Sequence, residues 1–267
     1  MREKYTTRRR ALRAVASLGT VGGLAGCTGT GDSEPTPNAD GPTGDESDTA
    51  TSGLETATES DSGTTASGDA TAETVTFPSS VGDEVTATQR GDGDCAVIFL
   101  HGVGYGREDW RPQATAVEEN GHIALAVALN HDDRESNVEA TVGAVDYLRS
   151  EVDVETVVLV GASAGANAVV KTDANTDVDV AGSFVLAPGR AGDLGAGLSG
   201  RKLFVVGEGD SQRFVETTKQ LHGDASGPKD LVILDAAEHA QGVFETSAGD
   251  RLQSLLVEFV NTVCSMA

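Results

Sequence analysis

The segment Val154–Val170, VETVVLVGASAGANAVV, leaves this chain few folds to choose from. Thr156–Val160 is a short β-branched apolar run that reads as a buried strand. Gly161-Ala162-Ser163-Ala164-Gly165 follows, and a helix of small residues starts near Ala166. A strand that reverses into a helix over so short a turn forces its central serine into strained backbone geometry, so the positions two residues to either side must lack bulk. Gly161 and Gly165 meet that demand. The turn lifts the Ser163 hydroxyl over the sheet edge, and the N–H of Ala164 faces the space where an oxyanion would form. In a chain with 33 glycines the pentapeptide alone also reads as an ordinary small-residue turn, so its neighbours must decide.

Those neighbours alternate strand with helix. Glu73–Phe77 and Glu84–Thr88 alternate apolar and polar residues about a turn at 78–83, the pattern of a hairpin at the sheet's early edge. Cys95–Leu100 is continuously apolar, as in a strand covered on both faces. A helical run over Asp109–Glu119, a strand over Ile123–Leu129 and a helix from Ser136 to about Glu151 come next. The last of these opens with the capping-box pattern Ser136-Asn137-Val138-Glu139. Beyond the elbow, strands are expected at Gly182–Leu186, Lys202–Val206 and Leu231–Leu234, with a closing helix over Arg251–Val263. The pattern predicts an α/β fold with a mostly parallel sheet, helices on both faces, and ligands at the carboxyl ends of the strands.

Polar residues fall where that rule puts them. His101-Gly102-Val103-Gly104 follows the third strand, Ser163 the fifth, Asp210 the seventh and His239 the eighth. Serine, acid and histidine in this order, each after a strand, make residues 73 to 264 similar to the α/β-hydrolase fold family. The resemblance implies roles by position. Ser163 would be the nucleophile, His239 the general base and Asp210 the carboxylate that orients the imidazole. The N–H groups of Val103 and Ala164 would form the oxyanion hole, shaped by His101, Gly102 and Gly104. Asp235 and Glu208 compete with Asp210 for the acid role, and Trp110 reads either as a pocket wall or as core. His122, His131 and His222 fall in turns or at helix ends, where solvated surface histidines are expected. About fifteen residues, Ala187 to Arg201, stand where many lipases insert a lid, which predicts no cap domain and an open, shallow site. This looks like the small lidless serine esterases and dienelactone-hydrolase-like members, with serine where a dienelactone hydrolase would carry cysteine.

The first 26 residues read as an export signal. Arg8-Arg9-Arg10 within a basic segment resembles a twin-arginine signal, and Leu24-Ala25-Gly26-Cys27 looks like a lipobox that ends in a lipidated Cys27. Residues 28–72 hold no Lys, Arg, His or aromatic side chain and are rich in Thr, Ser, Gly, Asp and Glu. Such a segment buries too little apolar surface to offset its ordering entropy, so 27–72 reads as an acidic tether and 73–267 as one folded domain. Anchoring to the outer face of the cell membrane through Cys27 follows as an expectation.

The formal net charge of −23 argues against nucleic-acid binding, which wants a basic face. It resembles the surface chemistry of secreted halophilic archaeal proteins. Three cysteines leave Cys95 and Cys264 after Cys27, expected as buried free thiols with a disulfide as the alternative. No Cys/His spacing suggests zinc, and neither a metal nor an organic cofactor is implied. The expectation is therefore an exported lipid-anchored hydrolase of small carboxylic esters. A peptidase or thioesterase would use the same triad, and a catalytically silent surface binding protein is the rival from another class.

Overall fold

The computed structural model describes residues 72–266. The signal segment, Cys27 and nearly all of the tether lie outside the described residues. The folded region carries eight strands: β1 (Glu73–Pro78), β2 (Glu84–Arg90), β3 (Cys95–Leu100), β4 (Ile123–Val127), β5 (Thr156–Ala162), β6 (Gly182–Leu186), β7 (Arg201–Gly207) and β8 (Lys229–Leu234). They form one sheet in the order β1-β2-β4-β3-β5-β6-β7-β8. Only the β1–β2 and β2–β4 pairings are antiparallel, which confirms the hairpin at the edge. The crossing of β3 and β4 in this order puts β3 and β5, the strands that precede the two key loops, side by side.

Five helices cover the sheet: α1 (Arg111–Glu119), α2 (Ser136–Ser150), α3 (Ala164–Asn175), α4 (Gln212–Asp224) and α5 (Gly249–Cys264). Alternation along the buried strands explains why both faces need covering. Val97 and Phe99 of β3 join Trp110, Val117, Leu252, Leu256 and Val260 in one core, beneath α1 and α5. Ala96, Ile98 and Leu100 join Ala144, Leu148, Val169 and Leu221 in the other, beneath α2, α3 and α4. Each fully buried large side chain stabilises the fold by about 1.5–3 kcal/mol relative to exposure. Trp110 is wholly buried, with its ring centroid 5.1 Å from Phe99 and 6.0 Å from Phe244, so it belongs to the core rather than to a pocket wall. Among the described residues no helix is long and apolar enough to cross a membrane.

Two local expectations change. The capping box at Ser136 does not form, because Ser136 is itself the first helical residue and the N–H groups at the helix start go to Asp133, which precedes it. Its Oδ1 accepts the N–H groups of Glu135 (3.0 Å) and Ser136 (3.4 Å), while Ser136 Oγ donates to the Asp133 carbonyl at 2.7 Å. Helix α4 adds to the expected elements and buries Thr218 and Leu221. The segment between β6 and β7 holds only a 3-10 turn, Gly192–Gly197, and no cap among the described residues.

Cys95 and Cys264 are joined as a disulfide between the start of β3 and the end of α5, with Cα atoms 5.7 Å apart, so the free-thiol reading gives way to its alternative. Packing of α5 across the sheet brings together two residues 169 positions apart, a closure that spacing in the chain cannot show. Cross-linking so long a loop constrains the unfolded chain, so reduction should cost about 2–4 kcal/mol. Urea unfolding checks this: reductant should lower the midpoint of the wild type and leave that of Cys264→Ser unmoved. Equal midpoints for oxidised and reduced wild type would show that the bridge contributes nothing.

Candidate active site

At the end of β5 the chain makes the turn its sequence anticipates. Ser163 sits at φ 52°, ψ −108°, a region that costs a non-glycine residue about 1–3 kcal/mol. Backbone bonds hold it there: Ser163 N–H donates to the Leu186 carbonyl at 2.9 Å, and the Ser163 carbonyl accepts Asn167 N–H at 3.1 Å. The flanking glycines are demanded by close approach. A Cβ at Gly165 would lie 2.0 Å from the Leu100 carbonyl oxygen of β3, and one at Gly161 would lie 2.5 Å from the Gly165 carbonyl oxygen. The helix thus passes hard against the neighbouring strand. Ala164 is its first residue, so its N–H has no acceptor within the helix.

Asp210 and His239 come from the ends of β7 and β8, and the loops are tied to each other. Glu208 N–H donates to the Leu234 carbonyl at 2.8 Å, and Gly209 N–H to that of Ala236 at 2.9 Å. This pairing sets His239 Nδ1 2.7 Å from Asp210 Oδ2, and His239 Nε2 2.8 Å from Ser163 Oγ. The carboxylate can only accept, so Nδ1 carries the proton and Nε2 is free to take one from the serine. The Asp210 side chain is 4% exposed and its Oδ1 accepts the Ser211 N–H at 2.7 Å. Asp235 and Glu208 are exposed, and Asp210 makes the contact to His239. The His239 side chain is 36% exposed and Ser163 is half-buried, so the pair opens to solvent.

No local pattern marks what covers the imidazole. Phe214 of α4 lies on it with ring centroids 3.9 Å apart and planes inclined 32°, and the Arg213 guanidinium sits 4.4 Å from the Phe214 centroid. The Phe214 ring also leaves no room for a side chain at Gly189, where a Cβ would come within 2.4 Å of it.

The loop after β3 lies against the serine: a Cβ at Gly102 would be 3.3 Å from Ser163 Cβ. Val103 follows with its side chain exposed, and Gly104 turns the loop at φ 87°. His101 is buried and holds the loop. Its Nε2 accepts the Leu129 N–H at 3.0 Å, which leaves Nδ1 protonated, 3.0 Å from the Gly102 carbonyl and 3.1 Å from His131 Nε2. His131 is therefore no solvated surface residue; it stands edge-on to His101 with centroids 4.8 Å apart. His122 bonds Asn261 Oδ1 at 3.0 Å, and His222 makes an edge contact with Phe204, so each is half-buried against a partner. The Gly102 N–H donates to Gln241 Oε1 at 2.7 Å, a buried contact that no short-range pattern announces. Among the described residues the cluster closest to a metal-ligand set is Cys95, His122 and Cys264, whose two sulfurs are already bonded to each other.

No family model matches this chain, and no curated protein matches it. Solved structures do. An esterase of Pyrococcus furiosus superposes with a TM-score of 0.61 at 14% identity, over 72% of this chain and 92% of that one. A dienelactone hydrolase of Anabaena variabilis gives 0.61 at 20% identity, over 70% and 96%. An esterase of Exiguobacterium antarcticum gives 0.60 at 13% identity, over 71% and 100%. With the sheet order and the elbow, these likenesses establish the α/β-hydrolase fold.

Burial lowers the pKa of both His101 and His131, the carbonyl of Gly102 only partly opposing it. A histidine pKa depressed on folding means that the unfolded chain binds more protons, so this contribution to stability is present above the ordinary value of 6.5 and is lost as pH falls below it. Thermal unfolding between pH 7.5 and 5 should show the wild type losing more stability than His131→Phe. Identical losses would mean that the pair does not titrate in this range.

Proposed function

We propose that this chain is an exported, lipid-anchored serine hydrolase that cleaves carboxylic esters through an acyl-enzyme. The observation that carries the reading is the unbroken Ser163–His239–Asp210 relay, at 2.8 and 2.7 Å, on a serine held in the strained elbow conformation. Likeness to structures described as esterases supports the ester bond as substrate. Ser163 Oγ attacks the substrate carbonyl carbon as its proton passes to His239 Nε2. The Asp210 carboxylate holds the resulting imidazolium, and the N–H groups of Ala164 and Val103 receive the developing oxyanion. His239 then protonates the leaving alcohol oxygen, a water displaces the acyl group from Ser163, and the serine regains its proton. Apart from the attacking water, this cycle uses only these side chains and backbone donors.

In this reading residues 1–26 are the signal, Cys27 carries the lipid, and 27–72 hold the catalytic domain away from the membrane. The acidic composition suits a domain working in concentrated salt, and its partners are a small ester and the membrane surface.

Hydrolysis of p-nitrophenyl esters of graded acyl length, in high salt, tests the chemistry. Ser163→Ala and His239→Ala should lower kcat by about 10⁴–10⁶-fold, and Asp210→Asn by about 10⁴-fold. A folded wild type that is inert to these esters and whose Ser163 ignores a fluorophosphonate would favour the silent binding domain instead. Preference for thioester or peptide substrates over oxygen esters would reassign the substrate and keep the triad. For the anchor, Cys27→Ala should release the protein from membranes into the soluble fraction, and undiminished membrane retention would count against lipidation.

A further inference from the structure

We propose that Gln241 is a positioning residue that locks the oxyanion loop in register with the histidine turn; the inference rests on the reading of Ser163 as nucleophile. After β3 the chain leaves the sheet, so the peptides of residues 101–104 have no ladder partners to set their orientation. The Gly102 N–H is buried beside Ser163, and an unpaired donor there would cost about 1–3 kcal/mol. Gln241 Oε1 takes that donor at 2.7 Å across 139 positions of sequence. With the Gly102 N–H committed to Gln241, and the Gly102 carbonyl engaged by His101 Nδ1 (3.0 Å) and the Tyr105 N–H (3.3 Å), both ends of this residue are pinned. The N–H of Val103 is then the donor left for the oxyanion.

Gln241 is itself held firmly. It is 4% exposed and lies in the 3-10 turn Ala240–Glu245, entered through Ala240 at φ 49° and closed by Gly242 N–H donating to the His239 carbonyl at 3.0 Å. One short piece of chain therefore carries the imidazole that bonds Ser163 and the amide oxygen that bonds Gly102. Any shift of this turn moves the base and the oxyanion donor together. A donor misplaced by a fraction of an ångström forfeits charge stabilisation in the transition state while leaving ground-state binding almost unchanged.

The test compares wild type with Gln241→Met, which fills similar volume without an amide acceptor. Steady-state ester hydrolysis by the full chain should show kcat about 10–100-fold lower in the Met variant, with KM within about threefold. The acid limb of its pH profile should stay where the wild type has it, since the triad is untouched. Independently of activity, the Gly102 amide should exchange with solvent at least about tenfold faster in the Met variant, because its acceptor is gone. Wild-type kcat in the Met variant or unchanged protection of the Gly102 amide would each overturn the role of Gln241. A wild type inert to esters and to fluorophosphonate would instead overturn the reading of Ser163, and the catalytic role of Gln241 with it.

Discussion

The contact on which this architecture turns is the passage of Gly165 against the carbonyl of Leu100. With room for only a hydrogen at that point, where a Cβ would stand 2.0 Å from the carbonyl oxygen, α3 lies directly on β3. That proximity puts the first turn of α3 beside the loop that leaves β3. The serine at the head of the helix and the glycine at the head of the loop thus become neighbours, although sixty-one positions of sequence separate them. The unfavourable φ of Ser163 follows from the same constraint. Bonds to Leu186 and from Asn167 fix the backbone on both sides of the serine, so its strain is held by the sheet and the helix rather than by the side chain's own contacts.

The second half of the site depends on a different device. Asp210 and His239 sit on loops that continue the β7–β8 pairing past the sheet edge, through Glu208 to Leu234 and Gly209 to Ala236. An extension of a ladder is stiffer than two independent loops, and it sets the register between carboxylate and imidazole. Phe214 then closes one face of the imidazole. Bonded at both nitrogens and stacked on one face, the ring keeps its orientation while remaining open to solvent.

What could be read from sequence divides along the range of the interaction. Strands buried on both faces, β3, β5 and β7, announce themselves as unbroken apolar runs, and the elbow as a spacing of small residues, because both are local demands of backbone and solvent. The order of Ser163, Asp210 and His239, each after a strand, was legible for the same reason. Contacts made only by tertiary closure were not. Gln241 to Gly102, His131 to His101 and Cys95 to Cys264 join residues that are unremarkable in their own neighbourhoods, and the Ser136 cap was lost to a carboxylate three residues away that a motif scan passes over.

The choice of acid shows how little local chemistry would have helped. Glu208, Asp210 and Asp235 are all carboxylates within reach of strand ends, and an acidic chain makes each unexceptional. Burial separates them: Asp210 turns inward beneath the loop while Glu208 and Asp235 face water. A buried carboxylate must find donors, and Asp210 finds two, the Ser211 N–H on Oδ1 and the imidazole on Oδ2. The exposed pair meet no such requirement, because water satisfies them wherever they point. In a chain crowded with acids, the one that reaches His239 is therefore marked by what excludes water from it, and that is a property of the fold alone.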